Sequence, residues 1–233
     1  MTIAEQIVQA KEDYDAVYDA GKKSEYDEFW ANMYPDLNEV GGTYTFAGRS
    51  WNDYTFNPPQ VITLKGGCNN CFYNSAVTDI SKKVAFKNVT SISSAFQFAN
   101  TKVIGNIDVT TLTTPRLTST FANSKVVKIG VLKVVENTTY PNTFDGCTAL
   151  EDIRFYGVIG NNLSFKDSPL LSLESLQSIV FALKDCYHQE DEWTHTLTIS
   201  KASKDKLDEE MASGGWDYAL RYIQEKTWNL TVV

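Results

Sequence analysis

The sequence predicts an α/β fold: a short right-handed solenoid of stacked turns with a parallel sheet, an N-terminal helix and a C-terminal β/α cap. Three observations predict it. One pattern of phenylalanine, tight polar corner and aliphatic run recurs at Phe72-Tyr73-Asn74-Ser75, Phe98-Ala99-Asn100-Thr101, Phe121-Ala122-Asn123-Ser124 and Phe144-Asp145-Gly146-Cys147. Residues 3–34 carry apolar side chains at helical spacing, and residues 172–233 alternate helix and strand patterns.

The N-terminal element, residues 1–35, comes first. Ile3, Ile7, Ala10, Tyr14, Val17, Gly21 and Ser24 follow 4–3 spacing with charged residues between them, a coiled-coil seam of about three heptads. A single helix from Ile3 to Met33 would be about 45 Å long. Gly21-Lys22-Lys23 also resembles a helix stop and Ser24-x-x-Asp27 a restart, which would instead fold two helices back as a cap. The seam nominates Ile3, Ile7, Ala10, Tyr14 and Val17 for self-association, hence a homo-oligomer or docking on a larger assembly.

Residues 36–67 form a transition piece. Thr43-Tyr44-Thr45-Phe46 reads as a strand, Ala47-Gly48-Arg49 as a turn and Pro58-Pro59 as a stiff connector. Val61-Ile62-Thr63-Leu64 then leads through Gly66-Gly67 to the first repeat. Such a piece covers strand edges that a bare repeat array would leave unpaired.

Residues 68–171 hold the repeats. The four phenylalanines stand 26, 23 and 23 residues apart, and a fainter copy begins at Phe165-Lys166-Asp167-Ser168. Ile107-Asp108-Val109 and Ile153-Arg154-Phe155 alternate as half-buried strands should. No single turn can enclose its own apolar residues, so each must stack on its neighbours. Burying each phenylalanine would contribute roughly 1.5–3 kcal/mol. The Phe72 and Phe121 units reach their isoleucine one residue earlier than the Phe98 and Phe144 units, which predicts two tolerated corner lengths. The alternative is a sandwich of short strands with chance periodicity, but the same residue types recur in the same order.

The Phe-x-Asn/Gly-Cys/Ser/Thr…Leu/Ile/Val…Ile pattern resembles the BspA-type (treponemal) leucine-rich repeats over residues 68–171. The resemblance implies a leucine-rich-repeat solenoid whose parallel sheet lines one face and serves adhesion or recognition. The chain departs from that family in having few leucines and only four or five units, which weakens the idea of a long adhesive surface.

In the closing segment, 172–233, Ser172 can cap a helix whose Leu173, Leu176, Ile179, Val180 and Leu183 make one apolar stripe. Thr196-Leu197-Thr198-Ile199 reads as a strand, 203–226 as helix broken at Gly214-Gly215, and Asn229–Val233 as a final strand. Strand, helix, strand in this order implies a parallel pair.

Composition narrows the function. A net charge of −8 and a pI near 4.8 argue against nonspecific binding to nucleic acid or anionic membranes. The opening residues show no apolar h-region, so no secretory signal is expected, and no apolar run of about 18 residues suits a membrane span. Cys68-x-x-Cys71 has metal spacing, but zinc needs two further ligands from His188, His195 or Cys186. Cys147 occupies the corner that Ser75, Thr101 and Ser124 hold elsewhere, as a small buried hydrophobe would. The expectation is reduced, structural cysteines with no metal and no cofactor. No phosphate loop, nucleophile elbow or zinc-protease pair is present, and two histidines are few for acid–base work, so no enzyme is expected.

A surface remains. Residues flanking the buried isoleucines point away from the core, which nominates Asp79, Asn106, Asp108, Lys128, Asp152, Arg154 and Tyr156 as a binding face. An ordinary solvated sheet face is the competing reading. The opening Met1-Thr2-Ile3-Ala4-Glu5, the stretch Ala20-Gly21…Glu25-Tyr26-Asp27-Glu28-Phe29-Trp30 and the end Trp228-Asn229-Leu230-Thr231-Val232 together resemble tail-associated proteins of phages and prophages of Gram-positive bacteria. That resemblance implies a virion component of tail-fibre or baseplate type, assembled in the bacterial cytoplasm. Its implied partners are other virion proteins and a bacterial surface protein or glycan. A cellular interaction module of a bacterium is the rival.

Overall fold

The computed structural model describes residues 21, 24–25, 27–49, 56–187, 195–213 and 219–233. Among the described residues it is a mixed α/β protein with small parallel sheets and four helices. Helix α1 includes the helical residues 21, 24–25 and 27–33. Strands β1 (Ile62–Gly67), β2 (Val84–Ser91), β3 (Val103–Ile104), β4 (Ile107–Asp108), β5 (Lys128–Lys133), β6 (Asp152–Tyr156) and β7 (Leu163–Phe165) follow. The chain closes with α2 (Leu173–Ala182), β8 (Thr196–Ile199), α3 (Lys201–Ala212), α4 (Ala219–Glu225) and β9 (Asn229–Val232).

Strand β1 pairs with β2, while β3 and β4 pair with successive parts of β5, which pairs with β6; β8 lies between β7 and β9. Each of these pairings is parallel. The register aligns like with like. Ile104 lies beside Ile129, Ile107 beside Leu132 and Leu132 beside Phe155, each buried.

Six buried phenylalanines form a column through this core: Phe46, Phe72, Phe96, Phe121, Phe144 and Phe165. Successive ring centroids lie 5.0, 5.4, 5.6, 5.5 and 4.5 Å apart, and the three central pairs are within 4–10° of parallel. Strands in a sheet lie about 4.8 Å apart, so slightly offset rings repeat with the backbone that carries them. The phenylalanine segments are themselves laddered. Phe46 N–H donates to the Cys71 carbonyl (2.7 Å), Phe72 to Ala95 (2.7 Å), Phe96 to Thr120 (2.8 Å) and Phe121 to Thr143 (3.0 Å).

The column corrects the repeat register. Phe98 is not in it: its side chain is 46 % exposed and meets Tyr73 edge-on, while Phe96 fills the slot. The reason is local backbone. Two residues after each of the first five column members the chain turns through positive φ, at Gly48, Asn74, Phe98, Asn123 and Gly146. Phe98 is therefore the corner residue, equivalent to Asn74, and Ala99 rather than Thr101 matches Ser75, Ser124 and Cys147. With Phe96 as the origin, Ile104 lies at the same offset as Ile80 and Ile129, so the second corner length is confined to the Phe144 unit. Thr43–Phe46 is turn rather than strand, because Phe46 opens the column in the same corner geometry, with Tyr44 at φ 64°.

Both ends are covered. Trp30 on α1 is fully buried against Phe46 and Phe56, with centroids at 6.4 and 5.6 Å. At the other end Ser172 caps α2 as expected, its Oγ accepting the Ser175 amide, and Leu176, Ile179 and Val180 are buried. Strands β8 and β9 are the expected parallel pair. The self-association residues Ile3, Ile7, Ala10, Tyr14 and Val17 lie outside the described residues.

The column and the corner make opposite predictions for two phenylalanines. Phe121→Ala removes a fully enclosed ring and should cost about 3–5 kcal/mol. Phe98→Ala should change stability by less than about 1 kcal/mol. Urea unfolding followed by circular dichroism separates the two; equal losses would contradict the register.

Candidate functional site

Backbone pairing sets the seven residues nominated for binding in three rows. Asp79 bridges Val103, which pairs with Lys128, which pairs with Asp152. Asn106 Oδ1 accepts a hydrogen bond from Val131 N–H (2.8 Å), and Val131 pairs with Arg154. Asp108 pairs with Lys133, which pairs with Tyr156.

Most of these side chains are engaged within the fold. Asp79 Oδ1 accepts from the Ser81 amide (2.9 Å) and hydroxyl (2.8 Å). Asp108 repeats that turn with Thr110, at 2.9 and 2.5 Å, and its other oxygen accepts from Lys133 Nζ at 2.9 Å. Asn106 is held by its neighbour Gly130, where any Cβ would come within 2.4 Å of Asn106 Oδ1. Lys128 and Asp152 form an ion pair at 3.5 Å, and Asp152 also accepts from the Ser172 hydroxyl. These exposed pairs contribute little to stability but fix the pattern of charge.

Arg154 and Tyr156 are different. Arg154 is exposed and has no carboxylate partner among the described residues, and Tyr156 is 64 % exposed. Beside Tyr156 runs a groove of about 440 Å³ between β6 and α2, with Phe181, half exposed, on its far wall. The face therefore narrows to Arg154, Tyr156 and Phe181, with Lys133 beside them held by Asp108. Lys133 and Phe181 were missing from the sequence reading. Lys133 follows Leu132 as Asp108 follows Ile107 and Tyr156 follows Phe155, a repeated apolar–polar step that could have found it. Phe181 carried no signal, since only the packing of α2 against β6 brings it there.

Electrostatics bears on Asp108. Partial burial pushes its carboxyl up, but hydrogen bonds from the Thr110 hydroxyl, Lys133 and the Thr110 amide, with the Lys133 charge, together hold it below its ordinary 3.8. The cysteines are internal. Cys68, Cys71 and Cys147 are fully buried thiols. Burial pushes Cys147 up to about 12, and its Sγ donates to the Phe121 carbonyl at 3.1 Å. Cys71 is raised by its hydrogen bond with Cys68 and by burial. Among the described residues no group of three or more His, Cys, Asp or Glu side chains could hold a metal ion. Nor is any helix among them long and apolar enough to cross a membrane.

Compared with family models, curated proteins and solved structures, the chain matches none.

The depressed Asp108 carboxyl has a pH signature. A carboxyl with a lowered folded-state pKa contributes stability above its unfolded pKa and loses it as pH falls through the folded value. Asp108→Asn should therefore be destabilising at neutral pH, with the gap to the parent closing as the pH drops below about 3.8. Chemical denaturation across that range measures the gap; a difference independent of pH would count against the carboxylate's role.

Proposed function

We propose that this chain is a short right-handed leucine-rich-repeat solenoid of BspA type that acts as a non-enzymatic attachment or recognition protein. The carrying observation is the phenylalanine column with its parallel ladders. Similar corners stacked at strand spacing make a rigid support, and a rigid support presents side chains in fixed rows. The rows ending in Arg154 and Tyr156 supply a guanidinium with no carboxylate partner among the described residues and an exposed phenol, at the end of a charge-paired face. Tyrosine and arginine concentrate binding energy at interfaces because each offers a large contact area with a polar tip.

The setting we propose is a virion, as a tail-fibre or baseplate component of a phage of Gram-positive bacteria, touching a surface protein or glycan of the host. The sequence resemblance supports that setting, and so does the heptad pattern of residues 3–24, which suits anchoring to a homo-oligomer or to other virion proteins. The rival, a cellular interaction module, would use the same face on a monomer. Trp30 belongs to the core, so a truncation that tests the heptads must stop short of α1.

Two measurements test this reading. Light scattering on the full chain should give a multiple of the 26.1 kDa protomer mass, and removal of residues 1–20 should return one protomer. A monomer in both forms would remove the oligomeric anchor. Antibody labelling of purified particles in the electron microscope should mark the tail. Arg154→Ala with Tyr156→Ala should weaken attachment to host cells by about tenfold or more, a typical interface loss; unlabelled particles would favour the cellular module.

A further inference from the structure

A second concavity lies on a different face, and its chemistry is unlike that of the charged rows. It measures about 780 Å³, within the range of small-ligand sites. Its walls come from Arg116, from 139–141, from 161–164 and from the start of β8. The ladder that closes the column elsewhere is open here. Leu117 N–H donates to Thr139 and Ser119 N–H to Pro141, but among the described residues no backbone hydrogen bond links 139–143 to 161–165. Pro141 has no N–H to give. Strand β7 is laddered to β8 alone. The backbone ladder is interrupted at this point, and polar side chains line the cavity beside it.

Those side chains form a complementary set. Asn161 donates through Nδ2 to the Thr138 carbonyl (3.2 Å), which leaves its Oδ1 as an acceptor. Asn162 is reversed: its Oδ1 accepts from Thr196 N–H (2.8 Å), which leaves its Nδ2 as a donor. A carboxamide acceptor and a carboxamide donor side by side match the paired hydroxyls of a sugar ring, each of which gives and takes a hydrogen bond. Hydroxyls of Thr139, Ser164 and Thr198 extend the lining, and Tyr140 contributes an apolar ring. Arg116 is held by Nε donating to Thr118 Oγ1 (2.8 Å), so its terminal nitrogens are oriented but not neutralised, with no carboxylate partner among the described residues. Among the described residues, no aspartate, glutamate or lysine lines the cavity.

We propose that this cavity binds an acidic saccharide, a sugar carrying a carboxylate or phosphate, with Arg116 taking the anion and Asn161 and Asn162 the ring hydroxyls. The guanidinium fork pairs with either anion, while the carboxamides require the polyol. The proposal does not depend on the virion reading, because the two use different faces.

Isothermal titration of the full-length protein with four probes tests it: digalacturonic acid, glucose 6-phosphate, maltose and inorganic phosphate. At least one of the acidic sugars should bind, more tightly than maltose and than phosphate alone. Arg116→Gln should weaken that binding by about tenfold or more, the scale of a charge-assisted hydrogen bond. Asn162→Asp keeps the acceptor for Thr196 but sets a carboxylate against the anion, and should weaken binding at least as far. Arg154→Ala, on the other face, should leave it unchanged. Thermal melts equal to the parent's establish that each variant is folded. The proposal fails if neither acidic sugar binds, if maltose binds equally well, if phosphate alone matches the sugar phosphate, or if folded Arg116→Gln binds as the parent does.

Discussion

The structure depends on one spacing. Parallel chains repeat at about 4.8 Å, and an aromatic ring laid at the same place in each layer repeats with them. For the ring to reach the axis, the chain must turn inward just before it and outward just after. Positive φ therefore brackets the first five column members: Tyr44 and Gly48 around Phe46, Asn70 and Asn74 around Phe72, Ser94 and Phe98 around Phe96, Ser119 and Asn123 around Phe121, and Asn142 and Gly146 around Phe144. Outside glycine, that backbone costs on the order of 1–2 kcal/mol at each position. Asparagine lowers the cost by bonding its own backbone, and burial of the ring between two others offsets the rest. The residue after the second turn lies against the next layer and must be small; Ser75, Ala99, Ser124, Cys147 and Ser168 fill it, all buried.

This explains which parts of the fold could be read from the sequence. Phe72, Phe121 and Phe144 were legible because each is followed by a residue suited to positive φ. Phe96 was not, because a phenylalanine stands at its corner, and a matching text of Phe-Ala-Asn begins at the corner itself. Tertiary stacking overrode a local preference there. Phe46 was hidden by its setting in Thr43-Tyr44-Thr45-Phe46, which alternates like a strand. The C-terminal elements were legible for the usual reason, an amphipathic stripe behind a serine cap in α2 and short β-branched runs for β8 and β9.

The ends show how a short stack avoids exposing its interior. Aromatic bulk closes the first layer, with Trp30, Tyr34 and Phe56 gathered around Phe46. The last layers are closed by helices, and the joint is polar. Lys226 Nζ donates to the carbonyls of Val180, Phe181 and Leu183 at the C-terminal end of α2, where Val180 also accepts the Leu183 amide. Trp228 Nε1 reaches the Lys184 carbonyl from the same side. A cation at a helix C-terminus is favoured by the helix dipole as well. This linkage ties α2 to the approach to β9, 43 to 46 residues later in the chain, so the final helices form one unit with the stack.

Candidate chemistry arises where the repetition stops. Along the regular rows the polar side chains complete the architecture: Asp79 and Asp108 close turns, Asn106 fills the ladder beside Gly130, and Lys128 and Lys133 neutralise the carboxylates next to them. Each is tied to a neighbour one layer away or two residues on, so little is left for a ligand. Arg154 and Tyr156 lie on the last strand of their sheet, where α2 replaces the next layer and no paired row follows. Arg116 and Asn162 flank the gap where Pro141 interrupts the ladder. Reading outward-facing positions along the strands found the first pair, because exposure follows from alternation alone. It could not find the second, since an opened ladder is defined by hydrogen bonds not made, and only the positions of adjacent layers disclose them.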